Sequence, residues 1–200
     1  MTRNLLFLPG AGADPAFWKP LGALLPAEWT KTYVGWPGLG HQLPSPAVTS
    51  FSDLVAMAEA SLGDSPCDLL AQSMGGAVAL QVALRNPQRV RRLVLAATSG
   101  GIDVAALGAA DWWPAYRLEY PDARLSILDG WPDLTGQLPA LAHPALLLWG
   151  DDDPISPVSV GRRLASLLPN ARLEIIGGGD HAFVAERPAA TSGLIRQHLE

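Results

Sequence analysis

Asp68-Leu69-Leu70-Ala71-Gln72-Ser73-Met74-Gly75-Gly76 is the stretch on which the reading of this chain turns. An apolar strand pattern runs into Ser73, and small residues open a helical pattern behind it. Its core, Ala-Gln-Ser-Met-Gly, is the nucleophile elbow Gly-x-Ser-x-Gly with Ala71 in place of the first glycine. In that motif a tight strand-to-helix turn lifts the serine hydroxyl above the sheet. A side chain at position 75 or 76 would crowd the turn and the neighbouring strand. The helix start also points backbone N–H groups at any negative charge that develops near Ser73. On these residues alone, the competing reading of Ser73 is a plain helix N-cap, and the motif favours the nucleophile.

The pattern around the elbow repeats. Leu5–Leu8, Thr32–Trp36, Asp68–Ala71, Val90–Ala96, Ala145–Trp149 and Arg172–Ile176 read as strands. Helical patterns follow them: a stretch reaching Leu25, then Ser52–Leu62, the run to about Arg85, Val158–Leu168 and Ala189–His198. Strand then helix, repeated, predicts a parallel sheet with helices on both faces. The strands end in loops rich in Gly or Asp, and ligands bind at such carboxyl ends. Residues 99–142 break the rhythm with no clean strand and little helical period. They carry Trp112, Trp113, Tyr116, Tyr120 and Trp131, too many aromatics for a disordered insertion. The expected organisation is a single domain, residues 1–200, with 99–142 as a short cap over the strand ends.

Composition bounds the function. The chain has 200 residues, 48% of them hydrophobic and 16% charged, enough for one domain with a proper core. The net charge is −5 and the basic residues form no run beyond pairs, which argues against a nucleic-acid partner. No apolar run approaches the ~20 residues that span a bilayer, and Leu5–Leu8 is too short for a secretory signal. A cytoplasmic location is the expectation. The single cysteine, Cys67, precludes an internal disulfide and reads as a packed core residue.

A serine hydroxyl needs a base. The chain offers His41, His143, His181 and His198. His143 sits at the start of a strand, the wrong end of a parallel sheet. His198 lies near the end of the last helix, and His41 follows a carboxyl-end loop and could line the site. His181 follows Arg172–Ile176 through Gly177-Gly178-Gly179-Asp180, at the correct end, and is the expected base. The base in turn needs an acid. Asp151-Asp152-Asp153 follow the strand Ala145–Trp149 at its carboxyl end. They could also make a surface turn or a helix cap, and no Asp/His cluster at ligand spacing accompanies them to suggest a metal.

The whole chain resembles the α/β-hydrolase superfamily, of the serine esterase type. Five motifs carry the resemblance: Leu8-Pro9-Gly10-Ala11-Gly12, Trp36-Pro37-Gly38-Leu39-Gly40, the elbow, Leu148-Trp149-Gly150-Asp151-Asp152-Asp153-Pro154, and Gly179-Asp180-His181-Ala182-Phe183 with Glu186 and Pro188. The order Ser, Asp, His along the chain is that of the superfamily. The resemblance selects Asp153 as the acid and implies the backbone N–H groups of Ala11 and Met74 as an oxyanion hole. It implies a reduced fold: a six-stranded, all-parallel sheet in family order 4-3-5-6-7-8, helices on both faces and a short cap. Two departures stand out. Pro9-Gly10 replaces the usual His-Gly, and the family's first two strands have no counterpart before Leu5–Leu8. The helix Ser52–Leu62 and the elbow are similar to esterases that cleave methyl esters of carrier-protein-bound pimeloyl chains.

The function expected is hydrolysis of carboxylic esters through an acyl-enzyme on Ser73, with no cofactor and no metal. The partner is a small-molecule ester, free or carrier-protein-bound. Trp36, Leu39, Trp112, Trp113, Trp131 and Phe183 are the expected substrate-binding residues. Alternatives on the same apparatus are a thioesterase or a carbon–carbon lyase, and from another class a hydrolase-like ligand receptor.

Overall fold

A computed structural model describes residues 3–200. Six strands form one sheet: β1 (Asn4–Leu8), β2 (Thr30–Tyr33), β3 (Cys67–Gln72), β4 (Val90–Ala96), β5 (Ala145–Gly150) and β6 (Ala171–Ile176). Their order is β2-β1-β3-β4-β5-β6, and every pair is parallel. This is the order that the family resemblance implies. The helices are α1 (Lys19–Gly22), α2 (Phe51–Ala60), α3 (Met74–Arg85), α4 (Trp113–Glu119), α5 (Val158–Leu167), α6 (Phe183–Glu186) and α7 (Ala189–Leu199).

The central strands read as unbroken apolar runs because both faces of the sheet are covered. Successive side chains point to opposite faces. Leu6, Leu69, Leu93, Leu95 and Leu147 join one buried cluster with Leu54, Val78 and Leu164 of α2, α3 and α5. Leu5, Leu70, Val94, Leu146 and Leu148 join the other with Leu21, Phe183 and Ile195 of α1, α6 and α7. Helix α2 starts at a capping box, in which the Ser50 hydroxyl takes the Asp53 N–H and the Asp53 carboxylate takes the Ser50 N–H.

Three local expectations change, the first being the strand expected over Thr32–Trp36, which runs over Thr30–Tyr33 and leaves Trp36 in the following loop. The helical stretch expected to reach Leu25 contains one helix of four residues, α1, with Pro20 in its first turn. Pro15, Pro20 and Pro26 interrupt backbone hydrogen bonding there, and turns fill the remainder. Residues 99–142 hold α4 and three short 3₁₀ turns, Ala105–Leu107, Leu125–Leu128 and Leu138–Ala140, and no strand.

The amino end of the sheet carries a buried charge. Asp68 is fully buried on β3. Its carboxylate accepts from Arg91 Nε at 2.8 Å and from Arg91 Nη2, and Arg3 stands at 3.4 Å. Ser73, which follows β3, lies at the opposite, carboxyl end of the sheet. Cys67 is buried beside Asp68, and burial pushes its thiol up to about 12, so it packs as an unreactive residue.

Candidate active site

Ser73 sits where β3 turns into α3, with φ 52 and ψ −124. A left-handed φ is uncommon for a side-chain-bearing residue. Among the described residues three others-than-glycine have it, Ala13, Ser73 and Ala97, and all three line one cavity. Strain of this kind collects where surrounding structure holds a functional group in place. What holds the elbow is visible. The Gly75 Cα faces the Leu8 and Pro9 carbonyls, where a Cβ would approach the Leu8 oxygen to 2.7 Å. From the other side the buried Thr98 hydroxyl donates to the Ser73 carbonyl.

Ser73 Oγ lies 2.9 Å from His181 Nε2, and His181 Nδ1 lies 2.8 Å from Asp153 Oδ2. The loops after β5 and β6 interlock to create this contact. Asp152 N–H donates to the Gly179 carbonyl at 2.9 Å, and Gly178 N–H donates to Asp151 Oδ1 at 2.6 Å. Asp151 is thereby committed to a loop contact, and Asp152 is exposed. Asp153 alone of the three is buried. Its Oδ1 accepts from the N–H groups of Ile155 at 2.9 Å and Ser156 at 3.1 Å, which leaves Oδ2 for the imidazole.

The other histidines are elsewhere. His143 Nε2 is 3.1 Å from the Pro87 carbonyl. His198 contacts the Leu93 carbonyl at 3.0 Å, and burial holds its ring below the usual histidine range. His41 is exposed, edge-on to Tyr120 at 4.8 Å.

The serine opens into a cavity of about 590 Å³. Its floor is formed by residues 9–14 and the elbow, so Ala11 and Met74 both border it. Met74 is the first residue of α3, a position whose N–H has no acceptor inside its helix. The roof comes from residues 99–142 and includes Val104, Trp112, Tyr116, Tyr120 and Trp131.

Four expected substrate contacts are absent from the cavity lining. Trp36 is fully buried in the core, its indole N–H donating to the Pro9 carbonyl at 2.9 Å. Leu39 is fully buried in the same core cluster. Phe183 packs beneath the sheet's other face, in the cluster of α1, α6 and α7. Trp113 stacks on the outside of Trp112, with centroids 4.4 Å apart. For Trp36, Leu39 and Phe183 a large apolar surface found full burial in packing away from the cavity wall, whereas Trp113 stays half-buried against Trp112.

The structure also brings in residues that the sequence does not single out as part of the site. Gln72 precedes the serine, and its Nε2 donates to the His181 carbonyl at 3.0 Å. Ser156 ties the Asp153 loop to Thr98, its hydroxyl donating to the Thr98 carbonyl at 3.3 Å. Tyr116 contacts the floor of the cavity through its phenol. Gln72 has a local signal in its place inside the elbow motif, and Tyr116 a regional one in its place among the aromatics of residues 99–142.

Among the described residues no group of His, Cys, Asp and Glu could hold a metal ion, and no helix is long and apolar enough to cross a membrane.

Comparison with known proteins agrees with this architecture. A curated pimeloyl-[acyl-carrier protein] methyl ester esterase of Neisseria meningitidis serogroup B is 29% identical over 247 residues, an alignment covering 100% of this chain and 93% of that protein. A 2-hydroxymuconate semialdehyde hydrolase of a Pseudomonas species is 25% identical over 66% of this chain and 61% of its own length. A thermophilic esterase from Thermogutta terrifontis superposes with a TM-score of 0.75 over 99% of this chain and 90% of its own, at 23% identity, a likeness of fold. The family model for the alpha/beta hydrolase fold matches residues 3–130 and 103–188. With its all-parallel sheet, elbow and family match, the chain belongs to the α/β-hydrolase fold family.

Proposed function

We propose that this chain is a serine hydrolase that cleaves carboxylic esters through a covalent acyl-enzyme. The observation that carries the proposal is the continuous line of hydrogen bonds from Ser73 Oγ through His181 to the buried Asp153, opening on the cavity. In this reading His181 Nε2 takes the Ser73 proton as Oγ attacks the ester carbonyl. The imidazolium passes that proton to the leaving alcohol. Water then repeats the sequence in reverse and frees the acid. Asp153 holds the imidazole with Nε2 toward the serine and balances the imidazolium charge. The N–H groups of Met74 and Ala11 receive the oxyanion.

The cavity supports an uncharged acyl group. No Lys or Arg lines it among the described residues, while Asp14, Asp111 and Glu119 stand around it with the aromatic roof. An anionic substrate would meet repulsion there and no counter-charge. Residues 99–142 act as the cap that sets chain length and excludes water. The Neisseria relative is named for an ester on a carrier protein, so a methyl ester of a carrier-protein-bound acyl chain is assayed beside the free esters and thioesters of the panel below.

The test is a panel of p-nitrophenyl esters and matching acyl thioesters of increasing chain length, run on the wild type and Ser73→Ala. Ester turnover lost by ~10⁴-fold or more in the variant supports the proposal. Equal turnover by both proteins overturns it, and preference for thioesters assigns the site to thioester hydrolysis.

A further inference from the structure

Among the described residues Tyr116 is the one side chain that joins the roof of the cavity to its floor by hydrogen bonds to the backbone. It is buried on α4. Its hydroxyl donates to the Ala11 carbonyl at 2.8 Å and accepts the Gly40 N–H at 3.0 Å. One oxygen thus bridges three segments: the turn 10–13, the loop after β2, and α4. Burial raises the phenol's pKa, so it stays protonated and able to donate.

The turn needs such an anchor. Ala13 N–H donates to the Gly10 carbonyl at 3.0 Å, and a trans peptide then points the Ala11 N–H in the opposite direction. Ala13 itself sits at φ 62. The turn's central peptide, between Ala11 and Gly12, lies outside that closing bond. Glycine permits it to rotate, and the Tyr116 hydroxyl holds its carbonyl in place. The neighbouring loop is pressed against the same turn. Gly40 has φ 52, and a Cβ there would run into the Gly12 carbonyl. A second bond, from Arg124 N–H to the Gly38 carbonyl at 2.7 Å, ties the cap segment to that loop.

We propose that Tyr116 is a positioning residue for the Ala11 oxyanion donor, and that it makes the oxyanion hole depend on the seating of α4. The inference rests on the serine-hydrolase reading above. An oxyanion donor acts only when it lies about 2.7–3.1 Å from the oxyanion. A turn free to shift by a fraction of an ångström weakens the transition state and leaves ground-state binding nearly as it was.

Tyr116→Phe removes one oxygen and keeps the ring. The expected result on a short p-nitrophenyl ester is a fall in kcat of roughly tenfold or more with KM within about twofold. A trifluoromethyl ketone that adds to Ser73 and places an oxyanion in the hole should lose affinity by the same factor. The matching methyl ketone, which does not add, should bind as before. A kcat within about twofold of wild type, a change confined to KM, or parallel losses for both ketones overturns the proposal. So does a variant that fails to fold, which would make Tyr116 a core residue. Labelling by a fluorophosphonate separates the two readings. If the wild type is not labelled at Ser73, the hydrolase reading fails. If it is labelled and Tyr116→Phe turns over normally, only the role of Tyr116 fails.

Discussion

Asp153→Asn should abolish most activity while leaving the fold intact, and the reason lies in the side chain's two oxygens. Oδ1 is held by two backbone N–H groups, from Ile155 and Ser156. An asparagine must keep its oxygen there, because its NH₂ group would meet two donors. The NH₂ group therefore faces His181 Nδ1 in place of Oδ2. A donor at that position forces Nδ1 to accept, so the imidazole proton moves to Nε2 and faces Ser73 Oγ. The base then has no lone pair for the serine proton, and no carboxylate balances an imidazolium. A tautomer trap of this kind lowers kcat by about 10⁴-fold, or ~5.5 kcal/mol of activation free energy. The assay is steady-state hydrolysis of a p-nitrophenyl ester, with thermal unfolding as the check on the fold. Asp151→Asn and Asp152→Asn serve as neighbours and should keep most of their activity. Asp153→Asn retaining more than a tenth of wild-type kcat, or Asp151→Asn or Asp152→Asn proving the inactive variant, would refute the reasoning.

Trp112→Ala should alter acyl-chain preference, because its ring lines the cavity, whereas Trp113→Ala should leave that preference unchanged, because it stacks outside. Chain-length profiles of kcat/KM for the two variants check this, and identical profiles would count against the roof as the specificity element. His198 gives a pH dependence to stability. Burial lowers its folded pKa below the ordinary histidine value of about 6.5, so the unfolded chain binds its proton more readily. Its contribution is therefore intact above ~6.5 and is lost as pH falls below that value toward the folded pKa. In urea unfolding between pH 8 and 5, His198→Gln should lose less stability than the wild type. A parallel decline in both proteins would remove His198 as the cause.

The sheet was legible because its central strands are buried on both faces and its strands are punctuated by glycine and aspartate loops. That made the parallel sheet legible from the pattern, and the family resemblance supplied the strand order. The elbow was equally local, a turn whose residue sizes are set within a few positions of Ser73. The aromatic residues were not local in this sense. Trp36 and Leu39 follow a carboxyl-end strand just as a substrate-contacting pair would, but the Pro9 carbonyl and the space beneath β1 decided where the indole went. Phe183 sits two residues from His181 and still faces the other side of the sheet, since α6 turns its apolar face to α1. The contact of Tyr116 with Ala11 spans 105 residues. Nothing in the periodicity of either segment encodes it, because it depends on how the cap segment settles over the strand ends.

The central claim is that Ser73 carries the acyl group between the two halves of the reaction. It is tested most directly by rapid quench with a slowly deacylating p-nitrophenyl ester, followed by peptide mass analysis. The account predicts a burst of about one equivalent of p-nitrophenol and an acyl mass increment on the peptide containing Ser73, both absent in Ser73→Ala. An acyl group found on another residue, or steady turnover with no burst and undiminished activity in Ser73→Ala, would contradict it.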